Sequence, residues 1–398
     1  MTKRVMAPLI NPALLVWARK SAGFSLEEAA AKLGIDPDRL TVWEEGKETL
    51  SIPQLRKAAE TYKRPLALFY LPEPPFAFLP MHDFRRLPDV GPRRFSPGLT
   101  LEIRLAHQRR AFALELLEAS GELRPPFDLT TTIDANIDAV AKRIRTALGV
   151  DHALQTHWRD HRVAFIAWRT RIEELGVLVF QASRVESTEA SGFAFWADAL
   201  PFMVVNRKDA HARRIFSLIH ELAHLMLHQS GVSDADEDGQ RSRADEQIEV
   251  FCNKVAAATL MPRDRLLADP IITARGAGLH EWSDEEIKAL SITYSVSREA
   301  VARRLNTLNR ASDAFYKIKR RQYGEEYRAF KLRERERNAD TPIPRNMPRE
   351  TIADYGRPFV RMVLESYHRE RLSIADVSGH LGVKVRHLPD IERQVGLN

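Results

Sequence analysis

The clearest hydrophobic pattern in the chain is an apolar run from Ile215 to Leu227 that includes two histidines and a glutamate. Apolar residues occur nearly all round this segment when it is drawn as a helix, which is typical of a helix buried in a protein core. Polar side chains inside such a helix are costly unless they have partners. The pattern therefore predicts a core helix whose polar residues act together.

The three polar residues have the spacing of a metal site. Four residues advance a helix by about 6 Å and slightly more than one turn, so His220 and His224 can converge on one ion. Glu221 lies to the side of that face, where a carboxylate can accept a proton from an attacking water without binding the metal. Imidazole and carboxylate suit Zn²⁺, with Mn²⁺ as an alternative. His228 is about 12 Å along the axis from His220, too far to be a third ligand.

The third ligand is expected on the next predicted helix, residues 245–260. Glu249 is centred on a face of small residues that allows close approach, and Asn253, one turn later, is expected to orient it. Glu246 is the alternative ligand. The other acidic residues nearby are interpreted mainly as a solvated loop: Asp234, Asp236, Glu237, Asp238 and Asp245.

These two segments resemble a known family. The run from Ala212 to Leu225, followed by Glu249 through Asn253 to Pro262, is similar to the ImmA/IrrE family of metallo-endopeptidases. The resemblance implies a zincin-like, gluzincin-type peptidase. In that reading His220, His224 and Glu249 bind zinc, and Glu221 is the catalytic carboxylate. Cys252 and Val255 depart from the family pattern at packing positions only.

Three short apolar segments precede the metal helix and resemble strands of that family: 176–180, 191–195 and 201–206. We expect them to form a small antiparallel meander joined by tight turns. The fold class is therefore predicted to be α+β and predominantly helical. Three residues are candidates for stabilising the oxyanion, and the sequence does not choose among them: Arg243, His280 and Tyr294.

The N-terminal segment predicts a helix-turn-helix. Ser25 begins a capping-box helix that Gly34 closes, and a second short helix follows from residue 38 to residue 45. The unit resembles XRE-type repressors. Its candidate DNA contacts are Arg39, Thr41, Lys32 and Lys47. Four carboxylates nearby oppose binding to phosphates, so protein docking or dimerisation is the alternative use: Asp36, Asp38, Glu44 and Glu45.

The predicted domains are a helix-turn-helix domain (1–72), a proline-rich connector (73–99), a peptidase domain (100–310) and a helical C-terminal region (311–398). Within the last, a linker is expected near 341–346. The segments beginning at Ser373 and Leu381 resemble another short helix pair, without an assigned role.

Composition agrees with a multi-domain cytoplasmic protein. The chain has 398 residues, one cysteine, a net charge of +6 and a pI near 9.4. The single cysteine excludes internal disulfides, and no segment predicts a signal peptide or a membrane span. The basic charge fits contact with nucleic acid without establishing it. The basic stretch 303–337 is interspersed with acids and is interpreted as a solvated helical face.

The resemblance implies narrow proteolysis, in which a specific partner repressor or antitoxin-like protein is cleaved to relieve transcriptional repression. One alternative is a DNA-binding regulator whose peptidase-like domain is a sensor. Another is a non-catalytic binding partner that masks a toxin or repressor. An oligomeric state is compatible with each of them.

Overall fold

The structure is a computed structural model that describes residues 10–75, 81–83, 95–122, 126–158, 160–233, 243–340 and 346–397. Two compact units divide the chain: Met1–Met81 with Leu87–Gln108, and His82–Arg86 with Arg109–Asn398. Helices predominate, and the second unit contains one small sheet. The predicted α+β, predominantly helical class is therefore confirmed.

The first unit contains a helical bundle. Ser25 caps its second helix through a capping box, and Gly34 ends that helix in the left-handed conformation at φ 66°. Leu14, Leu40 and Trp43 are among the buried residues of the core. The elements are α1 (Pro12–Ser21), α2 (Leu26–Leu33), α3 (Pro37–Glu44), α4 (Ile52–Tyr62) and a 3-10 helix (Leu66–Tyr70). Helix α5 (Pro97–Ser120) begins in this unit and continues into the second.

The sheet of the second unit has the strand order β1-β5-β3-β4-β2. Its strands are β1 (His82–Asp83), β2 (Leu178–Ala182), β3 (Gly192–Phe195), β4 (Phe202–Asn206) and β5 (Gly231–Ser233). Strand β3 is antiparallel to both β4 and β5, while β2 is parallel to β4, and β1 to β5.

The prediction of an antiparallel meander is therefore wrong, because the sheet is mixed. The connection over residues 183–191 is too long for a tight hairpin turn, so β4 can insert between β2 and β3. Strands β1 and β5 were not predicted, because two or three residues are too few to form a readable alternating pattern.

In its described residues, the second unit also contains fourteen further α-helices. Before the metal helix lie α6 (Ile137–Ala147), α7 (His152–His157) and α8 (His161–Glu174); the metal helix is α9 (His211–Met226), and α10 (Arg243–Leu260) follows it. Then come α11 (Arg263–Leu267), α12 (Pro270–Arg275), α13 (Asp284–Tyr294), α14 (Arg298–Thr307), α15 (Asp313–Asp340), α16 (Met347–Tyr355), α17 (Arg357–His368), α18 (Ile374–Leu381) and α19 (Leu388–Val395). Of these helices, α8, α9 and α16 pack against the sheet.

Helix α9 lies at the centre of this unit, as its apolar sequence predicts. It packs against α8, α10, β3 and β4. Its residues from Leu218 to Met226 are all buried, and they join one core cluster with residues of α8 and α10. The polar residues of α9 are thereby held in a dry environment.

Some sequence predictions concern residues that the structure does not describe. The predicted loop acids Asp234, Asp236, Glu237 and Asp238 lie outside the described residues, as do 341–345 of the expected linker and much of the 73–99 connector. The domain boundaries stay predictions. Among the residues that the structure describes, no helix combines the length and the apolar content needed to cross a bilayer.

Candidate metal centre

The side chains of His220 and His224 meet inside the core. Both residues belong to the same face of α9, and their Nε2 atoms are 3.1 Å apart. The imidazoles are 4% and 1% exposed. Two imidazole nitrogens this close in a dry interior need a shared proton or a shared cation.

Helix α10 supplies a carboxylate to the same point. Glu249 Oε1 lies 3.1 Å from His224 Nε2, and its Oε2 lies 3.5 Å from His220 Nε2. Glu249 is fully buried. Glu246, the alternative ligand from the sequence, is exposed on the first turn of the same helix.

The spacing of the donor atoms in this cluster suits a metal ion. Each of the three residues offers one ligand atom, and these atoms lie within 4.8 Å of one another. A tetrahedral zinc ion with bonds of about 2.0–2.1 Å holds neighbouring ligand atoms about 3.3 Å apart. The separation of the two Nε2 atoms and that of His224 Nε2 from Glu249 Oε1 are both 3.1 Å, close to that value, and the second oxygen of Glu249, Oε2, lies 3.5 Å from His220 Nε2. The three residues therefore fit a zinc-sized cation.

The protonation of the cluster follows from its charges. Burial disfavours a charged His220, but the adjacent Glu249 carboxylate outweighs burial and raises the pKa of His220 to about 9. Burial also disfavours a charged Glu249, yet the two imidazoles hold the pKa of that carboxyl well below its ordinary value. In the absence of a metal, the shifts favour an ion pair in which a protonated His220 imidazole lies beside an ionised Glu249 carboxylate.

Glu221 lies beside the cluster. It is fully buried, and burial raises its pKa to about 8, although the charge of His220 and the hydroxyl of Ser233 act in the opposite direction. A carboxyl with a pKa near neutrality can both accept and return a proton at physiological pH. Glu221 is therefore a candidate for proton transfer beside the cluster.

Strands β3 and β5 line one side of the site. The sequence alone does not connect either strand with it. Ser233, on β5, places its Oγ 3.4 Å from His224 Nε2. Gly192, on β3, pairs with Ser233 and lies against the Glu221 carboxylate. A Cβ at Gly192 would come within 2.8 Å of Glu221 Oε1 and equally close to the Val204 carbonyl oxygen. Glycine is therefore needed here for close approach and not for an unusual φ.

Substitution of Gly192 by alanine tests this contact. We expect the added methyl group to displace the Glu221 carboxylate and to destabilise the fold by about 1–3 kcal/mol through overpacking. The peptidase activity that the sequence resemblance implies would fall at least about tenfold. Kinetic constants, bound zinc and thermal melting would be measured together. Gly324→Ala is the matched control, because a Cβ at Gly324 meets no atom within 4 Å. Equal activity of both variants would contradict this positioning role.

The neighbouring residues of α10 pack around the centre. Asn253, predicted to orient Glu249, is buried one turn after it on α10, and its side chain contributes to raising the pKa of His220. Cys252 is a buried free thiol whose pKa is raised by burial. A thiol of this kind is a packing residue, because its reactive thiolate form is disfavoured.

The remaining sequence candidates of this unit lie beside other groups. His228 follows the end of α9 at φ 57°, and its ring stacks on Trp196 at 4.4 Å. Arg243 is exposed at the first turn of α10. The His280 ring lies 5.9 Å from Trp282, and the Tyr294 ring lies 5.7 Å from His152. That one of Arg243, His280 and Tyr294 donates to the oxyanion stays a prediction, and the choice among them stays open.

The candidate DNA contacts of the first unit differ in their surroundings. Lys32 and Arg39 are exposed, and the Arg39 guanidinium lies over the Trp43 ring at 5.5 Å. The Thr41 hydroxyl donates to the Pro37 carbonyl oxygen. Lys47 forms an ion pair of 2.7 Å with Glu45. Part of the positive charge expected at this helix is therefore neutralised locally.

Comparison with known protein families assigns both regions. Residues 172–306, which include β2 to β5, α9 and α10, match the family described as Peptidase M78, IrrE N-terminal-like domain. Residues 15–69 match the Helix-turn-helix family. A comparison with curated proteins gives no match. The chain thus combines a helix-turn-helix domain with an IrrE N-terminal-like, metallopeptidase-like domain, which confirms the resemblance and the predicted order of the two domains.

Proposed function

We propose that the protein is a zinc-dependent endopeptidase that cleaves one specific partner protein. The convergence of His220, His224 and Glu249 within 4.8 Å, in the interior of a domain of the M78 peptidase family, supports this proposal most strongly. Glu221 beside that cluster supports catalysis over a purely structural metal, because a structural site has no need of a buried base. Mn²⁺ is an alternative ion.

The residues of the candidate centre have separate roles in the proposed reaction. His220, His224 and Glu249 would hold the metal, which when bound polarises a carbonyl and lowers the pKa of water. Glu221 accepts the proton of the water that attacks the scissile carbonyl, and then returns it to the departing amine. Gly192 leaves the space that the Glu221 carboxylate occupies. Asn253, one turn after Glu249 on α10, would help to orient that ligand.

The substrate class is proposed from the domain combination. A helix-turn-helix domain joined to a peptidase domain fits a regulator that acts on another regulator, so the substrate is proposed to be a repressor or an antitoxin-like protein. We expect the Zn²⁺- or Mn²⁺-loaded protein to cut one such protein, encoded beside its own gene, at a single bond and to leave casein largely intact. Mass spectrometry of the products would identify the bond. General digestion of casein would contradict narrow specificity.

A second candidate function is favoured by the helix-turn-helix match at residues 15–69. In this alternative the protein regulates transcription by binding DNA, and the peptidase-like domain acts as a sensor. A regulatory effect that survives Glu221→Gln would favour this alternative over proteolysis.

A further inference from the structure

The C-terminal helix pair repeats the backbone of the N-terminal helix-turn-helix. We define this pair as α18, the 3-10 turn Val385–His387 and α19. Ser373 caps α18 through a capping box, as Ser25 caps α2. Each helix spans eight residues and ends at a left-handed glycine, Gly34 at φ 66°, ψ 39° and Gly382 at φ 62°, ψ 30°.

The turns that follow are also equivalent. The amide of Ile35 donates to the Ala30 carbonyl oxygen at 3.1 Å, and the amide of Val383 donates to the Ser378 carbonyl oxygen at 3.1 Å. Asp36 then directly precedes α3, whereas Lys384 precedes the 3-10 turn Val385–His387, which continues into α19 at Leu388. Other helices of the chain close with the same kind of bond, for example at Val296 and Arg310. The likeness of the two segments therefore rests on this bond together with the equal helix length and the serine cap.

The buried positions correspond as well. Leu40 and Trp43 of α3 are buried, and their counterparts Leu388 and Ile391 of α19 are buried at the same spacing. In the second unit, α19 packs against α16 and α17 through this face. The opposite face of α19, with Pro389 and Arg393, is exposed. A helix-turn-helix with its second helix open on one side can present that helix to a DNA groove.

The two pairs differ in charge where the second helix begins. At this position the N-terminal pair has Asp36, at φ -72° and ψ 143°, and the C-terminal pair has Lys384, at φ -70° and ψ 143°. Two residues later the N-terminal pair has Asp38 and the C-terminal pair has Arg386. All four are exposed. The start of the recognition helix lies closest to the DNA, so the carboxylates repel phosphates while Lys384 and Arg386 attract them.

Two carboxylates of α19 have polar partners nearby. Asp390 forms an ion pair with Arg393, and Glu392 lies 3.0 Å from the ring nitrogen of His368. The N-terminal unit also has paired carboxylates, because Glu45 pairs with Lys47 and Glu44 with Arg19. The two pairs therefore differ in charge mainly before the second helix, where Lys384 and Arg386 replace Asp36 and Asp38.

We propose that the C-terminal helix pair is a second helix-turn-helix and provides the stronger contact with double-stranded DNA. Lys384 and Arg386 contact phosphates at the start of the recognition helix. This site is independent of the peptidase centre and of the function proposed for it.

The test is a charge reversal that retains the backbone. The double variant Lys384→Asp, Arg386→Asp places in the C-terminal pair the residues that the N-terminal pair carries at the same positions, and aspartate is a favourable N-cap. The matched variant Arg39→Asp, Lys47→Asp removes two cations from the N-terminal pair. Fluorescence anisotropy of the full chain with a labelled mixed-sequence duplex of about 30 base pairs, about three helical turns, would be followed over a range of salt concentrations.

We expect the C-terminal variant to bind the duplex about 10- to 100-fold more weakly at ~0.1 M salt, with a log–log salt slope shallower by about 2. The N-terminal variant is expected to lose less. Thermal melting and metal content would show that both variants remain folded. The proposal is overturned if the C-terminal variant binds as well as the unmodified chain, if the N-terminal variant loses more, or if the unmodified chain does not bind the duplex at low salt.

Discussion

Replacement of Glu221 by glutamine is expected to lower the rate of peptide cleavage by about 10²–10⁴-fold. Glutamine has nearly the same size and can occupy the same buried space, but its amide does not accept a proton at neutral pH. The residue is not part of the donor cluster, so the affinity for zinc should change little. Single-turnover cleavage of the partner protein, measured beside metal content, separates these two effects.

The controls for this variant decide between the proposed functions. An unchanged melting temperature and zinc content would show that only the base has been removed. Cleavage that persists at the rate of the unmodified protein would remove the proteolytic assignment. Lost cleavage with an unchanged effect on transcription would instead favour the DNA-binding regulator with a sensor domain.

The helices that hold the candidate centre were predictable from local pattern. The apolar residues around His220 and His224 predict a buried α9, and helical spacing alone brings their imidazoles to one face. The small residues of α10 predict its close packing on α9, as observed. Each signal lies within a single helix, so neither requires knowledge of the tertiary fold.

The wall of the site was not predictable in the same way. Gly192 and Ser233 are brought to Glu221 and His224 by the pairing of β3 with β5, and this pairing depends on the whole sheet. Strand β5 has three residues and gives no alternating pattern. The parallel pairing of β2 with β4 likewise depends on contacts between segments that are distant in sequence.

The C-terminal helix pair was predictable from the sequence only in part. Its serine cap and closing glycine are local signals, and they predict two short helices. The sequence alone did not assign a role, because the meaning of Lys384 and Arg386 depends on their position at the start of the second helix. Only the backbone equivalence with Asp36 and Asp38 identifies the reversal of charge.

Replacement of Glu249 by glutamine is expected to weaken zinc binding by at least about 10²-fold, while Glu246→Gln leaves it unchanged. The Glu249 carboxylate is the only anion of the donor cluster in the described residues, and it is buried against both imidazoles. Its amide substitute retains the shape but removes the negative charge that offsets the charge of the cation. Glu246 lies one turn earlier on the same helix and is exposed, so its substitution controls for the general effect of losing a charge from α10.

Competition titration with a zinc-binding dye would measure both affinities. If the two variants bound zinc equally well, Glu249 would not be the third ligand. Another residue would then have to supply it, and the spacing of the three ligand atoms would not reflect zinc binding. If only Glu249→Gln lost the metal and its activity with it, helix α10 would be the element that links metal binding to catalysis. Because α10 also packs against α6 and α14, substitutions that shift this helix should then weaken zinc binding without touching a ligand.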